Sequence, residues 1–192
     1  MRSLHSILRF SLAALALGAS ALSHAASVGD SVDALVASSA ERLAIAEQVA
    51  LAKWDSKGRV EDPPREAVVI DKAKEAGAAS QIDADWVAAF FRAQIEANKE
   101  VQYAQLAAWH RAGAAPAHQP VDLAHDIRPR LDMLQTQFIR QLAAAAPLRM
   151  AADCNAQVAQ AVGNYAIDHN LELDSARVAA LDRAMAGFCG AK

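Results

Sequence analysis

The chain has 192 residues, enough for one domain with its own core, and an alanine-rich composition with only 8 glycines and 6 prolines favours helix throughout. A net charge of -3 excludes the global basic field that draws proteins to nucleic acid. No stretch after residue 25 is long and apolar enough to span a bilayer, so no membrane association is expected once the leader described next is removed.

Residues 1–25 are expected to stand outside the fold. Arg2 and Arg9 form a basic start, an apolar run covers 10–22, and Ser23-His24-Ala25 puts small residues at the cleavage positions. This reads as a secretory signal peptide cut after Ala25, with an uncleaved anchor as the alternative. Residues 26–192 then form one all-helical domain, periplasmic or secreted.

The first helix is predicted over 31–54. Val32, Leu35, Val36, Leu43, Ala46, Val49 and Ala50 recur at three- and four-residue steps and make its apolar face. Arg42 and Lys53 fall on or beside that face, three turns and about 16 Å apart along the axis. Two inward cations are costly unless something anionic meets them, either carboxylates of this chain or a ligand. Ser56-Lys57-Gly58 breaks the helix. Asp62 then caps a second helix over 63–76, with Pro63 and Pro64 in its first turn and Gly77 as its stop. Arg65 adds a third cation at its start. The three cations are read as converging on a small dianion.

A long third helix over 84–111, capped by Asp83, carries Val87, Phe90, Phe91, Ile95, Val101, Tyr103, Leu106 and Trp109. Asn98 and Gln102, four apart, share a stripe beside Phe91 and Ile95 and need partners there or a pocket to line. A loop over 112–120 leads to a fourth helix over 123–145, whose start is left open as far as Ile127 by Pro129. Pro147 marks a break, a fifth helix runs over 148–169 to Asn170, and a sixth starts at Asp174 or Ser175 and ends near Gly187. No segment shows strand alternation, so the fold class is an all-α bundle of about six helices. In an exported chain Cys154 and Cys189 are expected to pair. His110, His118 and His125 lack the spacing of a helical metal site and are read as surface residues, and the three tryptophans as packing.

The series Arg42, Lys53, Asp62, Arg65-Glu66 resembles the all-helical AroQ-type chorismate mutases. With the leader, the late cysteine pair and the stretch FFRAQIEANKEVQYAQLAAW ending at Trp109, the chain is similar to their exported gamma subclass. The resemblance implies conversion of chorismate to prephenate by a concerted pericyclic shift, with no cofactor and no metal, in a homodimer with one complete site per chain. It implies that Arg42 binds one carboxylate, that Lys53 contacts a carboxylate and the ether oxygen, and that Gln102 donates to that oxygen from the other side. Asn98 matches a polar residue touching a carboxylate, Arg65 completes the cationic wall, and Glu66 and Asp62 match groups at the ring hydroxyl. Arg128 from the fourth helix is the best match for the remaining clamp, with Arg130 as the fallback. Two residues depart from the exported pattern: many members carry glutamate where this chain has Gln102, and a hydroxyl residue where it has Asn98.

Plainer readings stand beside these. Arg42 and Lys53 would snorkel from a helix edge, Glu66 would pair with Arg65 or Lys57, Asn98 and Gln102 would satisfy each other, and Arg128 would be a solvated helix-start residue. At the level of function, the alternatives are a non-enzymatic periplasmic helical protein, anion-binding or chaperone-like, and a mutase fold that no longer turns over.

Overall fold

In a computed structural model, residues 28–173 and 175–190 are described, and their regular structure is entirely helical. The expected leader, and with it the cleavage after Ala25, lies outside the described residues. Helix α1 spans Val28–Ser56 and buries Leu35, Val36, Leu43, Ile45, Ala46 and Ala50, close to the apolar face the spacing predicts. Helix α2 spans Pro63–Ala79. The Asp62 side chain accepts from the Arg65 N–H at 3.2 Å, and Glu66 Oε1 accepts in return from the Asp62 N–H at 3.3 Å. The first turn is thus tied from both ends, with carboxylates where the helix dipole favours them.

Gly77 does not stop α2. It is buried within the helix, and a Cβ there would come 2.8 Å from Val87 Cγ2 on the next helix. The glycine serves close helix–helix approach, and the chain turns instead at Gln81, whose φ is 58°.

Helix α3 spans Ala84–Ala112, capped by Asp83 at 2.6 Å from the Trp86 N–H and closed by Gly113 in the left-handed conformation, φ 79°. The predicted fourth helix is in two parts. Asp122 caps a single π turn, Leu123–Ile127, which feeds helix α4, Arg128–Ala145. The fifth starts later than expected. A 3₁₀ turn, Ala146–Leu148, and a short loop come first, and helix α5 spans Cys154–Asp168. That loop holds the far end of the chain: Gly190 N–H donates to Arg149 O at 3.0 Å, and the Arg149 guanidinium lies 5.0 Å from the Trp86 ring centre. Helix α6 spans Ala176–Met185, capped by Ser175. Cys154 and Cys189 are bonded, with Cα atoms 5.9 Å apart, as their expected pairing requires.

Two rings of helices share the α1–α3 edge. α1 packs on α3 and α4, and α2 packs on the same two, closing one four-helix ring; α5 and α6 close the other. Phe90 and Phe91 of α3 and Phe138 of α4 meet edge to face in the core. At the shared edge the fully buried Gln94 of α3 donates to Ser39 Oγ of α1 at 2.7 Å and to Ala184 O of α6 at 3.1 Å.

His118 is not the bare surface residue expected. Its Nε2 faces Asp55 Oδ2 at 3.0 Å and its Nδ1 faces Pro116 O at 2.8 Å, so the α3–α4 loop is strapped to the end of α1. Both partners are acceptors, so only the doubly protonated ring satisfies both. The Pro116 carbonyl and then the Asp55 carboxylate raise its pKa above the usual histidine value. A raised folded-state value stabilises the protein below the unfolded value, near 6.5, and the gain is lost as pH rises through the folded one. His118→Ala should therefore lower the melting temperature at about pH 5.5, and the deficit should shrink toward about pH 8. Parallel melting curves across that range would contradict the strap.

Candidate active site

The residues singled out in the sequence lie on or between the helices of the first ring, α1 to α4. Arg42 of α1 is 6 % exposed, its Nε has no hydrogen-bond partner, and it makes no ion pair among the described residues. Burial alone lowers its pKa from the ordinary arginine value to about 10, and no carboxylate among the described residues raises it again. It remains a cation at neutral pH. Snorkelling is excluded for this residue, because the charged head itself is buried.

Lys53 is half-buried and donates to Val60 O at 2.6 Å, an oxygen of the α1–α2 loop. Burial lowers its pKa, against the smaller opposing pull of Asp62 and Glu66. The two acids are therefore close enough to act on Lys53, but each has another engagement. Asp62 caps α2, and Glu66 Oε2 lies 3.5 Å from Lys99 Nζ, which is itself held by Glu96 at 2.7 Å. The plain expectation for Glu66, pairing with Arg65 or Lys57, is thus corrected: its cation comes from α3. Arg65 is half-buried at the start of α2.

On α3, which packs against α1, Asn98 and Gln102 are both buried. They do not satisfy each other through their side chains. Asn98 Nδ2 donates to Gln94 O at 2.8 Å and Gln102 Nε2 to Asn98 O at 3.2 Å, both back along their own helix. Gln102 Oε1 is buried with no partner, and a primary amide has a second N–H to give.

The fourth helix divides the two arginines. Arg128 is exposed at the first position of α4. Arg130 is half-buried and donates to Gln48 Oε1 on α1 at 2.8 Å. The π turn is the physical reason for the difference, since one wide turn rotates every later residue about the helix axis. Gln48, Lys99 and Val60 O were not foreseen, and each owes its place to contacts between elements.

A recess of about 820 Å3 lies elsewhere, among Leu43, Glu47, Glu100, Val101, His169 and Arg177, and no predicted site residue lines it. Two of its acids are paired: Arg177 reaches Glu47 at 2.5 Å, and Glu100 lies 3.5 Å from Arg183. Arg42, buried and without an ion pair among the described residues, does not line it.

A sequence model of the family described as chorismate mutase type II matches residues 30–103, from the first turns of α1 to one residue past Gln102. The secreted chorismate mutase of Mycobacterium tuberculosis is 31 % identical over 157 residues, covering 82 % of this chain and 77 % of that protein. The secreted chorismate mutase of Mycolicibacterium smegmatis is 30 % identical over 128 residues, covering 67 % and 70 %. The chain belongs to the chorismate mutase family. The crystal structure of a chorismate mutase from Burkholderia phymatum agrees with that membership in three dimensions: 46 % identity, a TM-score of 0.80, 86 % of this chain and all of that one. As a chorismate mutase the chain is an enzyme, so the reading as an anion-binding or chaperone-like module gives way. The matched stretch contains Arg42, Lys53, Asp62, Arg65, Glu66, Asn98 and Gln102. The fourth-helix arginines lie beyond it.

Proposed function

We propose that the ring formed by α1 to α4 converts chorismate to prephenate by holding the folded conformer of this dianion and stabilising negative charge as its ether C–O bond stretches. The observation that carries this reading is Arg42, a buried cation with no acid of its own among the described residues. A guanidinium left so is stable only as the receptor of an anion, and its planar fork suits a carboxylate. The rearrangement moves no proton and needs no nucleophile, so the catalytic demand is for orientation and fixed charge alone.

Arg42 takes one carboxylate. Lys53, its ammonium steadied by Val60 O, reaches a carboxylate and the ether oxygen. Gln102 gives its uncommitted N–H to that oxygen from α3, and Asn98 touches a carboxylate. Arg65 closes the cationic wall, with Glu66 and Asp62 toward the ring hydroxyl. The fourth clamp is Arg130, because Arg128 points its charge to solvent while Arg130 is turned onto α1. By the family resemblance, the chain forms a homodimer with one complete site in each protomer. The leader-like start and the secreted relatives support export, as in the gamma subclass.

The direct test is the loss of chorismate absorbance on mixing with the mature chain; no acceleration over the spontaneous reaction would overturn the reading. The pH profile tests the role of Gln102. An amide donates at any pH, and Arg42 stays charged up to about 10, so kcat/KM should be flat from about pH 5 to about 8. Gln102→Glu should remove that plateau, the rate falling as the carboxyl ionises and loses its proton for the ether oxygen. A wild-type optimum confined to acid would contradict the assignment.

A further inference from the structure

Helices α1 and α4 meet along a ladder of neutral polar contacts. Gln141 donates to Ala34 O at 3.2 Å and to Ser38 Oγ at 2.9 Å, and Gln137 donates to Ser38 Oγ at 3.0 Å. The next rung toward the active-site end is Arg130 to Gln48, at 2.8 Å. It is the one rung with a full charge on it, and the charge is met by a neutral amide. Arg130 makes no ion pair among the described residues.

The choice of partner has a chemical consequence. A guanidinium has five N–H donors and an obligatory positive charge. An amide oxygen occupies one donor and fixes the plane of the group, yet leaves its charge uncompensated. A carboxylate of the same length would fix it equally well and cancel the charge. We infer that Gln48 is a positioning residue for the reaction: it orders Arg130 before substrate arrives and keeps its charge available for a substrate carboxylate. The inference rests on the proposed reading of the site, in which Arg130 is the fourth clamp. Ordering a long side chain in advance removes that cost from the binding step. A carboxylate is present in ground state and transition state alike, so the effect belongs in KM and not in kcat.

The experiment is Gln48→Glu, measured with chorismate in the full mature chain, with melting temperature read beside it. An acid at 48 pairs with Arg130, so the variant should keep or gain melting temperature while KM rises about tenfold and kcat stays within about twofold. Gln48→Leu, which cannot accept, should raise KM less. In an Arg130→Met background the Gln48→Glu change should no longer move KM, because the partner it acts through is gone. If Gln48→Glu leaves KM unchanged, or moves it equally in the Arg130→Met background, the role of Gln48 is overturned and the contact is merely part of the helix seam. A wild-type chain inert toward chorismate would overturn the reading of the site itself, which the Gln48 result alone does not.

Discussion

Arg42→Met should make the protein more stable and nearly inactive at once. At neutral pH, below both its folded and unfolded values, Arg42 is charged in either state, so the penalty for burying it is fully present. The drop from the ordinary arginine value to about 10 corresponds to about 3 kcal/mol. Methionine fills a similar length without that penalty, and exchanges of buried charge for apolar groups are neutral or stabilising by about 1–4 kcal/mol. In a domain of this size each kcal/mol is about 2–4 °C of melting temperature. The variant should therefore melt several degrees higher. Its kcat/KM should fall by about 100-fold or more, the usual consequence of leaving a bound anion without its buried partner. A fall in melting temperature would mean that some acid of the chain, and not substrate, is the counterpart of Arg42.

Lys53→Met should act on turnover with little effect on stability. The ammonium is half-buried, and among the described residues it donates to Val60 O. Its assigned task arises only as the ether bond breaks and charge collects on oxygen. Removing a donor aimed at developing charge costs about 100- to 1,000-fold in kcat, or about 2.7–4 kcal/mol. KM should change much less than kcat, and the melting temperature by at most a few degrees. Equal losses in KM alone would make Lys53 a ground-state clamp. The two variants together separate charge that holds the substrate from charge that stabilises the transition state.

What the sequence made legible was local. The eleven-residue step from Arg42 to Lys53 fixes their shared side of one helix, and a short polar residue ahead of two prolines marks the start of α2 at Asp62. Cys154 and Cys189 were legible from number and setting alone. What stayed hidden depended on neighbours far along the chain. Gly77 has the sequence signature of a helix end, but Val87 of the next helix needs its missing side chain. Glu66 has cations beside it in sequence, yet it meets Lys99, 33 residues away. The choice between Arg128 and Arg130 turned on five residues, Leu123–Ile127, that wind more widely than α-helix. No propensity rule foretells such a turn, and a shift of two positions on a helix reverses which arginine faces inward.

Gln94 also bears on any attempt to rebuild this core. Both hydrogens of its amide are committed, one to α1 and one to α6, while its oxygen is left bare. A leucine there would be greasier and similar in bulk, and a designer counting only hydrophobic contacts would choose it. But the amide works like a notch in a slide rule: moving α1 along α3 by one turn, about 5.4 Å, would lose the bond to Ser39. Four residues beyond Gln94 stands Asn98, and three beyond Ser39 stands Arg42, so the same notch sets the span between the two walls proposed to grip the substrate. A sequence optimised for grease at this position would trade a single helix offset for several, and a blurred span is one that a small rigid molecule can no longer measure itself against.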